Sequence, residues 1–235
     1  MAGRRRVVGP GPGGLRRAAG LLTGGESDRH MTAQLAATVA GVPVSVEEVD
    51  AAEARLRGRA GAAALPASGT GEGRQLRRWL TQLIVTQRVV AAEAAARGLT
   101  ARDAPAEAEL LPDATARLEI GSVAAAALAD PRARALFADV TAAVRVSDDD
   151  VAAYHARNPL RFAAPRGGRH GWRAPSLDGP PLEEVRSAIV EQLRGAARRR
   201  AFRVWLDARR AATVRLAPGY EHPGDPRQPD NTHRH

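Results

Sequence analysis

Three histidines, His222, His233 and His235, fall in the last fourteen residues beside Glu221, Asp225 and Asp230. Imidazole nitrogens and carboxylate oxygens together make a ligand set for Zn²⁺ or Ni²⁺, so His222, His233, His235 and Asp225 are the candidate ligands for a divalent metal. The tail lacks the spacing of three to five residues that sets two histidines on one helix face, and a polar, turn-rich tail is the simpler reading. No other cofactor is expected. The chain has no cysteine, which excludes a zinc ribbon, a thiol nucleophile and an iron–sulfur cluster. It has no G-x-S-x-G elbow, and without lysine it has no phosphate-binding P-loop.

Arginine is the other chemistry-bearing residue. All 35 basic residues are Arg against 26 acidic ones, for a net charge of +9. Arg194, Arg198, Arg199 and Arg203 crowd one stretch together with Arg200, Arg209 and Arg210, and Arg4, Arg5, Arg6, Arg16 and Arg17 stand near the N-terminus. Such a patch could neutralise phosphates with salt-dependent, sequence-blind affinity. No helix-turn-helix or base-stacking motif accompanies it. The acidic run Asp148-Asp149-Asp150 follows Ser147 at a helix start, where carboxylates complement the positive end of the helix dipole better than they would hold a cation.

The elements that must position these residues are mainly helical. Val39-Ala40-Gly41-Val42 predicts a hairpin turn, and Ser45 with Glu48 predicts a capping box opening a helix over Val46–Arg57. Residues 58–73 read as a loop. From Arg74 to Arg97 the apolar residues Leu76, Trp79, Leu80, Leu83, Ile84, Val90, Ala91 and Ala94 recur at helical spacing, with Gly98 as the stop. Further helices are expected over Ala104–Leu111, Ala114–Leu128, Pro131–Ala143 and Asp148–Arg157. A second long helix is expected over Leu182–Ala212, with Trp205 and Phe202 on its packing side, followed by a short strand at 213–216. About a fifth of the chain is alanine and only 3% is aromatic, so an Ala-rich helical protein fits better than a dense β fold. Residues 1–33, rich in Arg and Gly, are expected to be a disordered arm, with Met31 an alternative start. Residues 163–181 read as a linker, and 217–235 as a Pro- and His-rich tail.

The residues Val39–Asp50 and the segment Val146-Ser147-Asp148-Asp149-Asp150-Val151-Ala152-Ala153-Tyr154-His155-Ala156-Arg157-Asn158-Pro159-Leu160-Arg161-Phe162 carry a resemblance. Hairpin, capped helix and long apolar helix resemble the N-terminal chaperone domain of the SurA/PrsA/trigger-factor-like family. The second segment resembles that family's V-S-D…Y…N-P…F approach to a parvulin-type prolyl isomerase domain. The helix Leu182–Ala212 resembles the C-terminal helix that folds back onto the N-terminal part. Arg169-His170-Gly171-Trp172 resembles the start of the isomerase domain, but roughly twenty residues separate Phe162 from the last helix where about a hundred would be needed.

The resemblance implies a mostly α fold of the SurA N-terminal type, with a small sheet joining the N- and C-terminal parts in one domain over 34–216. It implies a holdase for unfolded or extended polypeptide, without isomerase activity, with Leu83, Val85, Leu110 and Leu118 as candidate groove residues. Nucleic acid is the alternative partner. No run of about 18 apolar residues spans a membrane, and no apolar stretch suits a secretory signal, so a cytoplasmic protein is expected.

Overall fold

The computed structural model describes residues 35–59, 61–162 and 179–225. Residues 1–33, Arg169–Trp172 with most of the 163–181 linker, and His233 and His235 lie outside them. Strand β1, Leu35–Val39, pairs antiparallel with β2, Val42–Ser45, with Val39 opposite Val42. Both turn residues have positive φ, 49° at Ala40 and 81° at Gly41, the pair of conformations that matches the twist of a two-residue hairpin. Strand β3, Val214–Leu216, pairs with the other side of β1, giving the order β2-β1-β3. The Ala40 N–H to Thr213 carbonyl bond (2.8 Å) and the Ala217 N–H to Ala36 carbonyl bond (3.0 Å) extend that seam at both ends. The two ends of the described chain are thereby joined in one sheet.

Helix α1, Val46–Arg57, opens on the expected capping box. Ser45 Oγ accepts from the Glu48 N–H at 3.2 Å, and Glu48 Oε1 accepts from the Ser45 N–H. Helix α2, Gly71–Ala96, starts earlier than Arg74 because Thr70 caps it, its Oγ1 accepting from the Gly73 N–H at 3.0 Å. The helix expected over Ala104–Leu111 is a single turn, α3, Glu107–Leu110, confined by Pro105 and by Pro112, which biases Leu111 away from helix. The one expected over Ala114–Leu128 divides into α4, Ala114–Ile120, and α5, Ser122–Ala127. Gly121 separates them at φ 90°, ψ 148°, a backbone conformation that side-chain-bearing residues avoid.

Helix α6, Pro131–Val140, has Pro at its first turn and Asp130 as cap, and it ends before Ala143. Helix α7, Asp148–Arg157, opens on a Ser147–Asp150 capping box. Helix α8 runs Leu182–Thr213. The fold is mostly helical, with eight α-helices and this one small antiparallel sheet among the described residues. No described helix is long and apolar enough to cross a membrane.

Helix α2 is the axis of the core, packing against α1, α5, α6, α8 and β1. The main cluster includes Val39, Val44, Val85, Val89, Leu136, Phe137, Phe202 and Leu206. The Phe137 and Phe202 rings pack at a 45° tilt with centroids 5.1 Å apart, and Trp205 lies 5.5 Å from Phe202. Such aromatic pairs contribute about 0.5–1.5 kcal/mol beyond their buried area. The 32 residues of α8 span about 48 Å, and its two halves have different partners. The C-terminal half joins the main core. The N-terminal half packs Val185 and Ile189 against Val151 of α7, with Val146, Tyr154, Phe162 and Leu182 around them.

Only part of the α2 apolar stripe belongs to the core. Leu80, Val90 and Ala94 are buried, Leu76, Trp79, Leu83 and Ile84 are half-buried, and Ala91 is exposed. The opposite side of α2 buries the polar residues Arg78, Thr81, Gln82 and Thr86 instead.

Candidate functional site

The uncovered part of that stripe faces an open cleft. One part of it, of about 390 Å³, is lined by Ala52 and Leu56 of α1, by Trp79, Leu80, Leu83 and Ile84 of α2, and by Ala126 and Ala129 at the end of α5. A second part, of about 570 Å³, shares Arg55, Ile84 and Gln87 with the first and adds Glu48, Arg88 and Asp130. Apolar surface therefore grades into a charged margin, the composition of a site that takes an apolar group and orients it with polar ones. At the α5 end the Trp79 indole N–H donates to Ser122 Oγ at 3.1 Å. At the sheet end Arg88 donates to Glu48 Oε2 and to the Pro43 carbonyl, both at 2.5 Å. That second bond occupies an acceptor on the edge strand β2, where Pro43 already lacks an N–H. Both features leave this edge with fewer free backbone groups for pairing with another strand.

A buried carboxylate fixes the α1 wall. Glu53 is 6% exposed and accepts from Arg57 Nε at 2.9 Å, Arg77 Nη1 at 2.8 Å and Ser68 Oγ at 3.1 Å. Arg57 also donates to the Pro66 carbonyl at 2.8 Å, and Arg77 pairs with Asp50 at 2.6 Å. These bonds lock α1 to α2 and pin the loop between them. Burial alone would push the Glu53 carboxyl up, but the donors from Arg57, Arg77 and Ser68 outweigh it and hold it below its ordinary value. Arg77 is likewise desolvated, and its bonds to Asp50, Glu53 and Tyr220 hold it charged.

The four candidate groove residues do not come together. Leu83 lines the cleft. Val85 is fully buried and Leu110 is 4% exposed, both in the main core, while Leu118 is 81% exposed on α4. Two residues turn a helix by about 200°, so Leu83 and Val85 face opposite sides of α2.

Three of the four candidate phosphate-binding arginines, Arg198, Arg199 and Arg203, dock α8 onto the body, while Arg194 pairs within α8. Arg199 is buried and donates to Glu119 Oε2 at 2.7 Å and to the Leu110 carbonyl at 3.2 Å. Arg203 donates to the Glu119 carbonyl, and Arg194 to Glu191. Arg198 donates to Thr141 Oγ1 at 2.8 Å and lies 5.2 Å from the centre of the Phe137 ring. Burial, with Arg194 nearby, lowers its pKa.

Of the candidate metal ligands, His222 uses Nδ1 to accept from the Gly224 N–H at 3.0 Å. No group of three or more His, Asp or Glu is placed to hold a metal ion among the described residues. The segment after β3 instead crosses α2, where Arg78 Nε donates to the Gly219 carbonyl and Gln82 Nε2 to the Tyr220 carbonyl, each at 3.1 Å. Arg210 donates to Gln82 Oε1 beside them. Polar residues within a helix read as surface in sequence, and their partners lie nearly 140 residues away. No local signal marks them.

Residues 35–72 match the model of a family of unknown function (DUF7158). The match covers the hairpin, α1 and the loop into α2, the elements that build one wall of the cleft. Neither a curated protein nor a solved structure matches the chain.

Proposed function

We propose that this protein binds unfolded or extended polypeptide in the α1–α2 cleft and acts as a holdase, without prolyl isomerisation. The observation that carries the reading is the cleft itself. Leu56 of α1 and Trp79, Leu83 and Ile84 of α2 are only half-buried along it, and a network centred on Glu53 fixes α1 against α2. A rigid groove of this kind receives apolar side chains of an extended chain at little ordering cost to the protein.

The likeness of Val146–Phe162 to the SurA/PrsA/trigger-factor-like chaperones supports the same reading, as does the closure of N- and C-terminal parts in one sheet. In the motif-bearing segment, Tyr154 accepts from Gln192 Nε2 at 2.7 Å and stands edge-on to Phe162, so its residues seat α7 on α8. A cytoplasmic setting belongs to the proposal. The test is suppression of aggregation of a chemically denatured client without ATP. Suppression near equimolar ratio is expected, and none at molar excess would contradict the reading.

A second reading, phosphate contact by α8, draws on a hollow of about 360 Å³ lined by Arg145, Arg194, Arg198 and Thr141. It has less support, because most arginines of α8 already bond within the chain. A gel shift with a steep salt slope would favour it.

A further inference from the structure

Resting on the cleft reading above, we infer that the cleft selects acidic polypeptide, an extended segment in which a bulky apolar residue is flanked by aspartate or glutamate. Arg55 and Arg59 stand one helical turn apart on α1, and both line the cleft. Neither guanidinium makes a hydrogen bond or ion pair with the described residues. The two carboxylates at the cleft are both engaged. Glu48 accepts from Arg88 and from the Ser45 N–H, and Asp130 accepts from the Arg132 N–H at 2.8 Å as the cap of α6.

The charge left open beside the apolar lining is therefore cationic. A guanidinium presents a planar fork of donors that a carboxylate can accept from in pairs. A client with Asp or Glu next to its apolar anchor places those groups against Arg55 and Arg59 while the anchor enters between Leu56 and Leu83. A basic client meets like charge at the same wall. The net charge of +9 acts in the same direction over longer range.

The experiment uses the full chain and two fluorescein-labelled peptides with the same central apolar residues, one flanked by glutamate and one by arginine. Anisotropy titrations at low and high salt read the difference. The acidic peptide is expected to bind about three- to tenfold more tightly at low salt, as for a pair of exposed ion contacts, with the gap closing at high salt. The double variant Arg55→Glu/Arg59→Glu, at two exposed positions, is expected to reverse the order. Equal affinity for both peptides, or an unchanged preference in the double variant, would overturn the charge selection and leave the cleft reading standing. Binding of neither peptide would overturn both.

Discussion

The Trp79 indole N–H on α2 donates to the hydroxyl of Ser122, the first residue of α5, at 3.1 Å. The bond ties the largest apolar side chain of the cleft to the helix whose far end supplies Ala126. It orients the ring and sets the width of the cleft at that end. Ser122 is exposed, so Ser122→Ala should lower stability by no more than about 1 kcal/mol. Client affinity should fall by roughly two- to fivefold, the size of one neutral hydrogen bond. Urea unfolding and peptide titration on the same variant measure both.

Leu83, Val85 and Leu118 are all apolar helix residues, yet they occupy a cleft, a core and open solvent respectively. Leu83→Asp should abolish client binding while the far-ultraviolet spectrum stays helical. Val85→Ala should destabilise the fold by roughly 1–3 kcal/mol through lost burial and a residual cavity. Leu118→Asp should shift stability by less than about 0.5 kcal/mol and leave binding unchanged.

Glu53 couples the cleft wall to pH. Its carboxyl is held below the ordinary value in the folded chain, so its contribution is present at neutral pH. That contribution is lost as pH falls below the ordinary carboxylate value, about 4.3, and through the depressed one. The thermal midpoint should therefore drop between about pH 5 and pH 3. Glu53→Gln should start lower at neutral pH, by about 2 kcal/mol for a buried carboxylate whose arginine partners stay partly solvated. It should also show a shallower acid decline, and a Glu53→Gln curve parallel to that of the parent would remove Glu53 as the cause.

The hairpin turn holds a correctable strain. Ala40 sits at φ 49°, a left-handed conformation that costs a Cβ-bearing residue roughly 1–2 kcal/mol. Asparagine tolerates it better, and Asn-Gly is the favoured pair at such turns. Ala40→Asn should raise stability by about 0.5–1 kcal/mol, read from the thermal midpoint.

Local signals carried the parts of the fold that local chemistry decides. Ser45 with Glu48, Ser147 with Asp150, and the Ala40-Gly41 turn each satisfy backbone groups within a few residues, and the elements they bound stand where spacing predicts. Gly121 was harder to read, because in the sequence it is one small residue in an Ala-rich run. Its role appears only in the φ that ends α4.

The cleft was half legible. Leu83 belongs to it, but helical spacing cannot separate apolar residues that face the core from those left uncovered, and Val85 went to the wrong side of that division. The arginines of α8 read as a charged surface because their partners, Glu119, Thr141 and Glu93, come from distant elements.

The absence of cysteine allows one decisive measurement. A Leu83→Cys variant carrying an environment-sensitive fluorophore is titrated with a denatured client, beside a Leu118→Cys control. Entry of polypeptide into the α1–α2 cleft predicts a saturable blue shift at position 83 and none at 118. A client that is held from aggregation while the probe at 83 stays unchanged would contradict binding in this cleft.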